Sequence, residues 1–179
     1  MKRLMAVMLV LGGWLLYRLY VPIADREGLP EYVRLDRIAE NHQPEMRWTH
    51  HSIFPPDSQS MVDFLRDYAA LWAHLNHLRQ TNDVQAGKAY YTENWFRQIC
   101  RNPAPFQADN RRYDLSHAIG VENWSQDKLI CTLSDTVKLR YEESGTQRNA
   151  RALVWAVMLK QGDHWRLDAI RFGTEEPMP

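Results

Sequence analysis

The chain has 179 residues, with 22 Lys and Arg against 22 Asp and Glu and a formal net charge of zero with histidine neutral. That length suits one domain with an appended segment, and the lack of any cationic excess excludes a nucleic-acid footprint. No Walker loop, G-x-G-x-x-G, G-x-S-x-G, H-E-x-x-H or paired C-x-x-C occurs, so nucleotide, serine-hydrolase and zinc-protease chemistries lack their first requirement.

Residues 4–24 form one apolar run broken only by Arg18. At ~1.5 Å per residue such a helix spans roughly 30 Å, the thickness of a bilayer core. The run predicts a membrane anchor over residues 1–24, with Arg18 snorkelling near its far end. Lys2 and Arg3 precede it and stay cytoplasmic, which predicts a single-pass inner (cytoplasmic) membrane protein with an exported C-terminal domain. A cleaved signal peptide would instead give a secreted or periplasmic product. Against cleavage, Ala24 has Pro22 two places before it and no A-x-A lies nearby. Three of the 22 cations precede residue 25, leaving 19 against all 22 acids, a net of −3 for the exported part.

Residues 25–57 carry Pro30, Pro44, Pro55 and Pro56 among dispersed charges and read as a stalk or linker, with Met46 and Trp48 among its short apolar groups. The exported domain is expected over residues 58–179. Pro55-Pro56-Asp57-Ser58 offers a helix N-cap, and from Ser58 to about Arg79 the residues Met61, Phe64, Leu65, Tyr68, Leu71, Trp72, Leu75 and Leu78 recur at three and four, one buried face of a helix. Asn82-Asp83 starts a second short helix. Thr92 caps a third from Glu93 to about Cys100, with Trp95, Phe96 and Ile99 inward.

Beyond Asn102-Pro103-Ala104-Pro105 the chain turns strand-like over residues 112–123, 128–142, 150–160 and 164–173, separated by turns such as Ser144-Gly145 and Gln161-Gly162-Asp163. Cys100 and Cys131 both end or sit on apolar stripes; the sequence leaves open one disulfide or two buried thiols. Gly162-Asp163-His164-Trp165-Arg166-Leu167-Asp168-Ala169-Ile170, joined to the upstream Tyr90-Tyr91-Thr92-Glu93, resembles the end of an NTF2-like domain. The resemblance covers residues 58–173 through the order of the elements. It implies an α+β fold: after the N-terminal membrane-anchor helix, three helices packed on a curved antiparallel four-stranded sheet.

Histidines are the first candidates for chemistry. His74 and His77 have a spacing that metal ligands on a helix use, and His50-His51 could add two more, but helical phase turns His74 and His77 mainly to solvent. His42 and His164 have no evident partner. Nothing in the sequence asks for a metal or a cofactor.

Strand phase is more informative. Odd positions of residues 128–142 are apolar except Asp135, and odd positions of the preceding strand are Tyr113, Leu115, His117, Ile119 and Val121. A loop centred near Gln126 sets His117 opposite Leu133 or Asp135, so imidazole and carboxylate are neighbours on the inner face, directly or diagonally. With a hydroxyl from Tyr68, or from Tyr90 or Tyr91, they form a candidate acid–base set, since a carboxylate fixes the tautomer of its imidazole and supports its charge. The competing reading is a self-satisfied structural hydrogen bond. In residues 153–159 both strand faces are apolar; Val154, Ala156 and Met158 are assigned outward, as an interface to a partner.

The architecture of one span followed by an exported NTF2-like domain is similar to that of the VirB8-like inner-membrane components of secretion and conjugation machines. It implies a non-catalytic module for protein–protein assembly in the cell envelope, with other envelope proteins or itself as partner and no nucleic acid. The alternative is an NTF2-fold small-molecule-binding protein or isomerase/dehydratase-like enzyme using His117 and Asp135.

Overall fold

Pro55 and Pro56 keep the chain extended, and Asp57 then caps a long helix by accepting from the Ser60 backbone N–H at 2.8 Å. The computed structural model describes residues 37–40, 42–102 and 110–178. In it this helix, α1, runs Ser58–Thr81 and ends at Asn82, whose φ of 59° is a left-handed conformation that asparagine tolerates well. Met61, Phe64, Tyr68, Leu71, Trp72 and Leu75 are buried along one face. Asp83 Oδ1 then accepts from the Gln85 and Ala86 N–H groups and opens a 3₁₀ helix, Gln85–Tyr90. Thr92 caps α2, Glu93–Arg101, through the Trp95 N–H at 3.2 Å.

One sheet carries five strands in the order β1 (Glu45–His50), β2 (Asn110–Trp124), β3 (Ile130–Glu143), β4 (Thr146–Gln161) and β5 (His164–Met178). Strands β2 to β5 form the expected antiparallel meander, but β1 pairs parallel with β2 from Glu45↔Ser116 to His50↔Val121. The expected four-stranded antiparallel sheet is therefore corrected to a five-stranded mixed one. The extra strand lies inside the segment assigned to the stalk. It was hidden because it is a six-residue edge strand with one residue, Met46, packed on the core, which leaves little hydrophobic pattern to read.

The membrane anchor expected over residues 1–24 falls outside the described residues. Among the described residues no helix is long and apolar enough to cross a membrane.

Aromatic rings fill the space between α1 and the sheet. Trp124 and Trp165 lie 4.8 Å apart between ring centroids, and Phe64 meets them edge-on at 5.8 and 5.3 Å. Buried Asp67 on α1 ties the helix to β5 by accepting from the Trp165 N–H at 2.9 Å. Ala150, Ala152, Val154, Ala156 and Met158 of β4 all belong to this core. The outward assignment of Val154, Ala156 and Met158 is thus reversed, and the exposed row is Leu153 and Trp155. With apolar residues on both faces the pattern carried no direction; three alanines in the inner row leave room for the large rings of α1. Both cysteines are free: Cys131 is buried, its thiol pushed up to about 12 by burial, while Cys100 is exposed rather than inward.

Candidate functional site

Two β-bulges in β2 decide which of its side chains meet. Register shifts fall between Asp114 and Ser116 and between Val121 and Asn123. The first reverses the alternation, so Asp114 joins His117, Ile119 and Val121 on the inner face and Leu115 turns out. On β3, Asp135 pairs with Ile119 and Val137 with His117, which leaves His117 and Asp135 diagonal to each other.

The diagonal closes into a hydrogen bond. His117 Nδ1 lies 2.7 Å from Asp135 Oδ2, and His117 Nε2 lies 2.8 Å from Asp114 Oδ2. Tyr68 donates its hydroxyl to the same Asp135 oxygen at 2.9 Å. Asp114 also receives His42 Nε2 at 2.8 Å and the Asn76 amide, and Asn76 Oδ1 accepts from Arg112 Nε at 2.8 Å. Sequence phase brought His117, Asp135 and Tyr68 into view. It missed Asp114, because a bulge has no signature in a run such as Arg112-Tyr113-Asp114-Leu115-Ser116, and it left His42 without its partner.

Two carboxylates facing both ring nitrogens require both to carry protons, so His117 is an imidazolium held between two anions. Burial would pull its pKa down, but the bonds to Asp114 and Asp135 outweigh burial and raise it to about 9. Burial likewise works against the Asp114 carboxylate, and the bonds from His117 and His42 overcome it and hold the group well below the usual carboxylate range. The Tyr68 hydroxyl is pushed well above its ordinary value by burial and by the Asp135 charge. Aromatic walls complete the enclosure: the rings of Trp72 and Tyr68 sit 5.0 and 5.7 Å from the imidazole.

Stability should follow these protonation states. His117 titrates near 9 in the folded protein against an ordinary 6.5, so its contribution is complete below about pH 6.5 and lost as pH rises through 9. For Asp114 the folded value is depressed, so its contribution is complete above its ordinary 3.8 and lost as pH falls through the folded value. Urea midpoints are expected to be highest between these limits and to fall from pH 6.5 to 9.5, with the alkaline fall absent in His117→Gln. A midpoint flat across that range would contradict the buried imidazolium.

As chemistry the cluster is closed. The side chains of His117, Asp114 and Asp135 have no solvent exposure, and of this trio's polar atoms Asp135 Oδ1 alone is without a hydrogen-bond partner among the described residues. A general acid or base must come within ~3 Å of the proton it moves, and nothing outside the fold reaches these atoms. His42, at 18% side-chain exposure, is the point where the cluster approaches the surface.

The remaining histidines are dispersed. His74 is buried rather than solvent-facing, stacked on Tyr90 at 4.4 Å, and burial together with nearby His77 lowers its pKa to about 4. His51 pairs with Glu122 at 3.1 Å and His164 with Asp67 at 3.4 Å. Tyr91 is buried away from the cluster with its hydroxyl unpartnered. No group of three or more His, Cys, Asp or Glu among the described residues could hold a metal ion. No protein-family model matches the chain, and no curated protein matches it.

Proposed function

We propose that this chain is an NTF2-like assembly module that works by binding another protein and performs no catalysis. The observation that carries it is the contrast between the two sides of the sheet. The side chains of His117, Asp114 and Asp135 are engaged within the fold and closed to solvent, whereas the outward row of β4 presents Leu153 and Trp155, 39% and 43% exposed in mid-strand. Large apolar side chains held outward on a rigid sheet act as anchors for a partner, because tryptophan dominates binding energy where it is covered.

A photoreactive benzoylphenylalanine in place of Trp155, in the full chain in its own cells, tests this. One discrete protein adduct is expected, lost when Leu153→Asp is added. No adduct, or an adduct indifferent to Leu153→Asp, would contradict the assembly role.

A further inference from the structure

The outward face of β3, β4 and β5 carries a charge pattern that identifies the kind of partner. Lys138 and Arg151 stand directly opposite each other across β3 and β4, two like charges as register partners. Arg171 is the register partner of Trp155 on β5, its guanidinium 6.0 Å from the indole centroid. None of these three cations takes part in an ion pair among the described residues. Glu176 lies opposite Arg151 in register yet makes no ion pair with it. Like charges placed opposite each other on a sheet destabilise it; an acid brought in from outside would relieve that repulsion.

Between the cations lie Leu153 and Trp155, both exposed. Across Ser134 from Trp155 is a shallow depression of about 270 Å³, floored by Gly120 and walled by Thr49 of β1 and by His51 just after it. A methyl group on Gly120 would sit 2.9 Å from Ser134 Oγ, so glycine is what keeps the floor low. An indole, a leucine and a hollow for one apolar side chain, beside three cations that make no ion pair among the described residues, are complementary to a chain in which acids alternate with apolar residues.

We propose that this face docks an acidic segment of a partner protein whose Asp or Glu side chains pair with Lys138, Arg151 and Arg171 while its apolar side chains cover Trp155 and Leu153. The proposal rests on the assembly reading and adds the chemistry of the partner. Opposite charge sets register and speeds encounter, and the covered indole supplies most of the hold.

The test uses the full chain and a synthetic peptide of Glu and Asp with interspersed Leu and Phe, followed by tryptophan fluorescence and by anisotropy of the labelled peptide. Saturable binding is expected, weakened on the order of tenfold or more by Lys138→Glu with Arg151→Glu, by a similar factor in Trp155→Ala, and by added salt. A matching peptide with Lys and Arg in place of the acids should bind the doubly charge-reversed variant better than the parent. Absent binding, or binding equal in parent and variants, would overturn the proposal. So would phosphatidylglycerol vesicles or single-stranded DNA displacing the peptide and responding to the same substitutions, which would make the face a lipid or nucleic-acid surface. The two readings fail separately: a Trp155-site crosslink that survives charge reversal overturns the acidic partner alone, and the absence of that crosslink in the parent overturns the assembly role.

Discussion

Replacing His117 by alanine should destabilise the protein by about 3 to 5 kcal/mol, because it strands two buried carboxylates without their shared cation. Asp114 and Asp135 each lose their bond to the imidazole, at 2.8 and 2.7 Å, and neither can turn to water. Removing the charges together should be milder: His117→Leu with Asp114→Asn and Asp135→Asn leaves no ion among these three positions, and breaking one partner of a buried ionic set is worse than removing the set. Urea denaturation at pH 6, where His117 carries its charge, checks both. A single-variant loss below ~1 kcal/mol, or a triple variant weaker than the single one, would mean that water reaches the cluster.

Trp72→Ala is the second large effect, at about 3 to 5 kcal/mol. The ring is fully buried, packs 5.0 Å from the His117 imidazole and 6.4 Å from Tyr68, and carries the Arg112 guanidinium 5.4 Å above it. Its removal leaves a cavity beside the polar cluster that the neighbouring rings cannot close, and it loosens Arg112, which orients Asn76 toward Asp114. Trp155→Ala offers the contrast: a half-exposed ring on the outer face, whose loss should cost less than ~1 kcal/mol of stability. Chemical denaturation of the two variants side by side separates a core tryptophan from a docking one. Equal losses would contradict the assignment of the faces.

The sequence was most readable where one physical rule acted alone. The stripe from Met61 to Leu75 and the caps Asp57 and Thr92 each follow from local chemistry, and the structure places them as that chemistry requires. Direction across the sheet was harder to read. Both faces of residues 153–159 are apolar, so Val154, Ala156 and Met158 could be assigned outward from pattern alone, and only the packing of α1 shows that they point in. His74 is buried, against the solvent-facing expectation, for a related reason. It lies at the border of the helical stripe, where the covering group is Tyr90 from the following 3₁₀ helix, a contact that helical phase does not contain. At the candidate site, alternation suggested one face for His117 and Asp135, while the turn together with the bulge between Val121 and Asn123 sets them diagonal rather than opposite. Asp114 entered only through the bulge after it, and His42 only through the parallel pairing of β1, which begins three residues later. Both contacts join residues 72 positions apart or depend on an irregular strand, and neither leaves a periodic trace.

The non-catalytic reading rests on His117 being enclosed as an imidazolium between Asp114 and Asp135. Nitrogen-15 NMR of the imidazole in the full chain at pH 7.5 tests it directly. Both ring nitrogens are expected to carry protons that exchange slowly with water, with signals indifferent to added small carboxylic acids, ketones and steroids. A neutral ring with a rapidly exchanging proton, or signals that shift when such molecules are added, would contradict the account and give the cluster to catalysis.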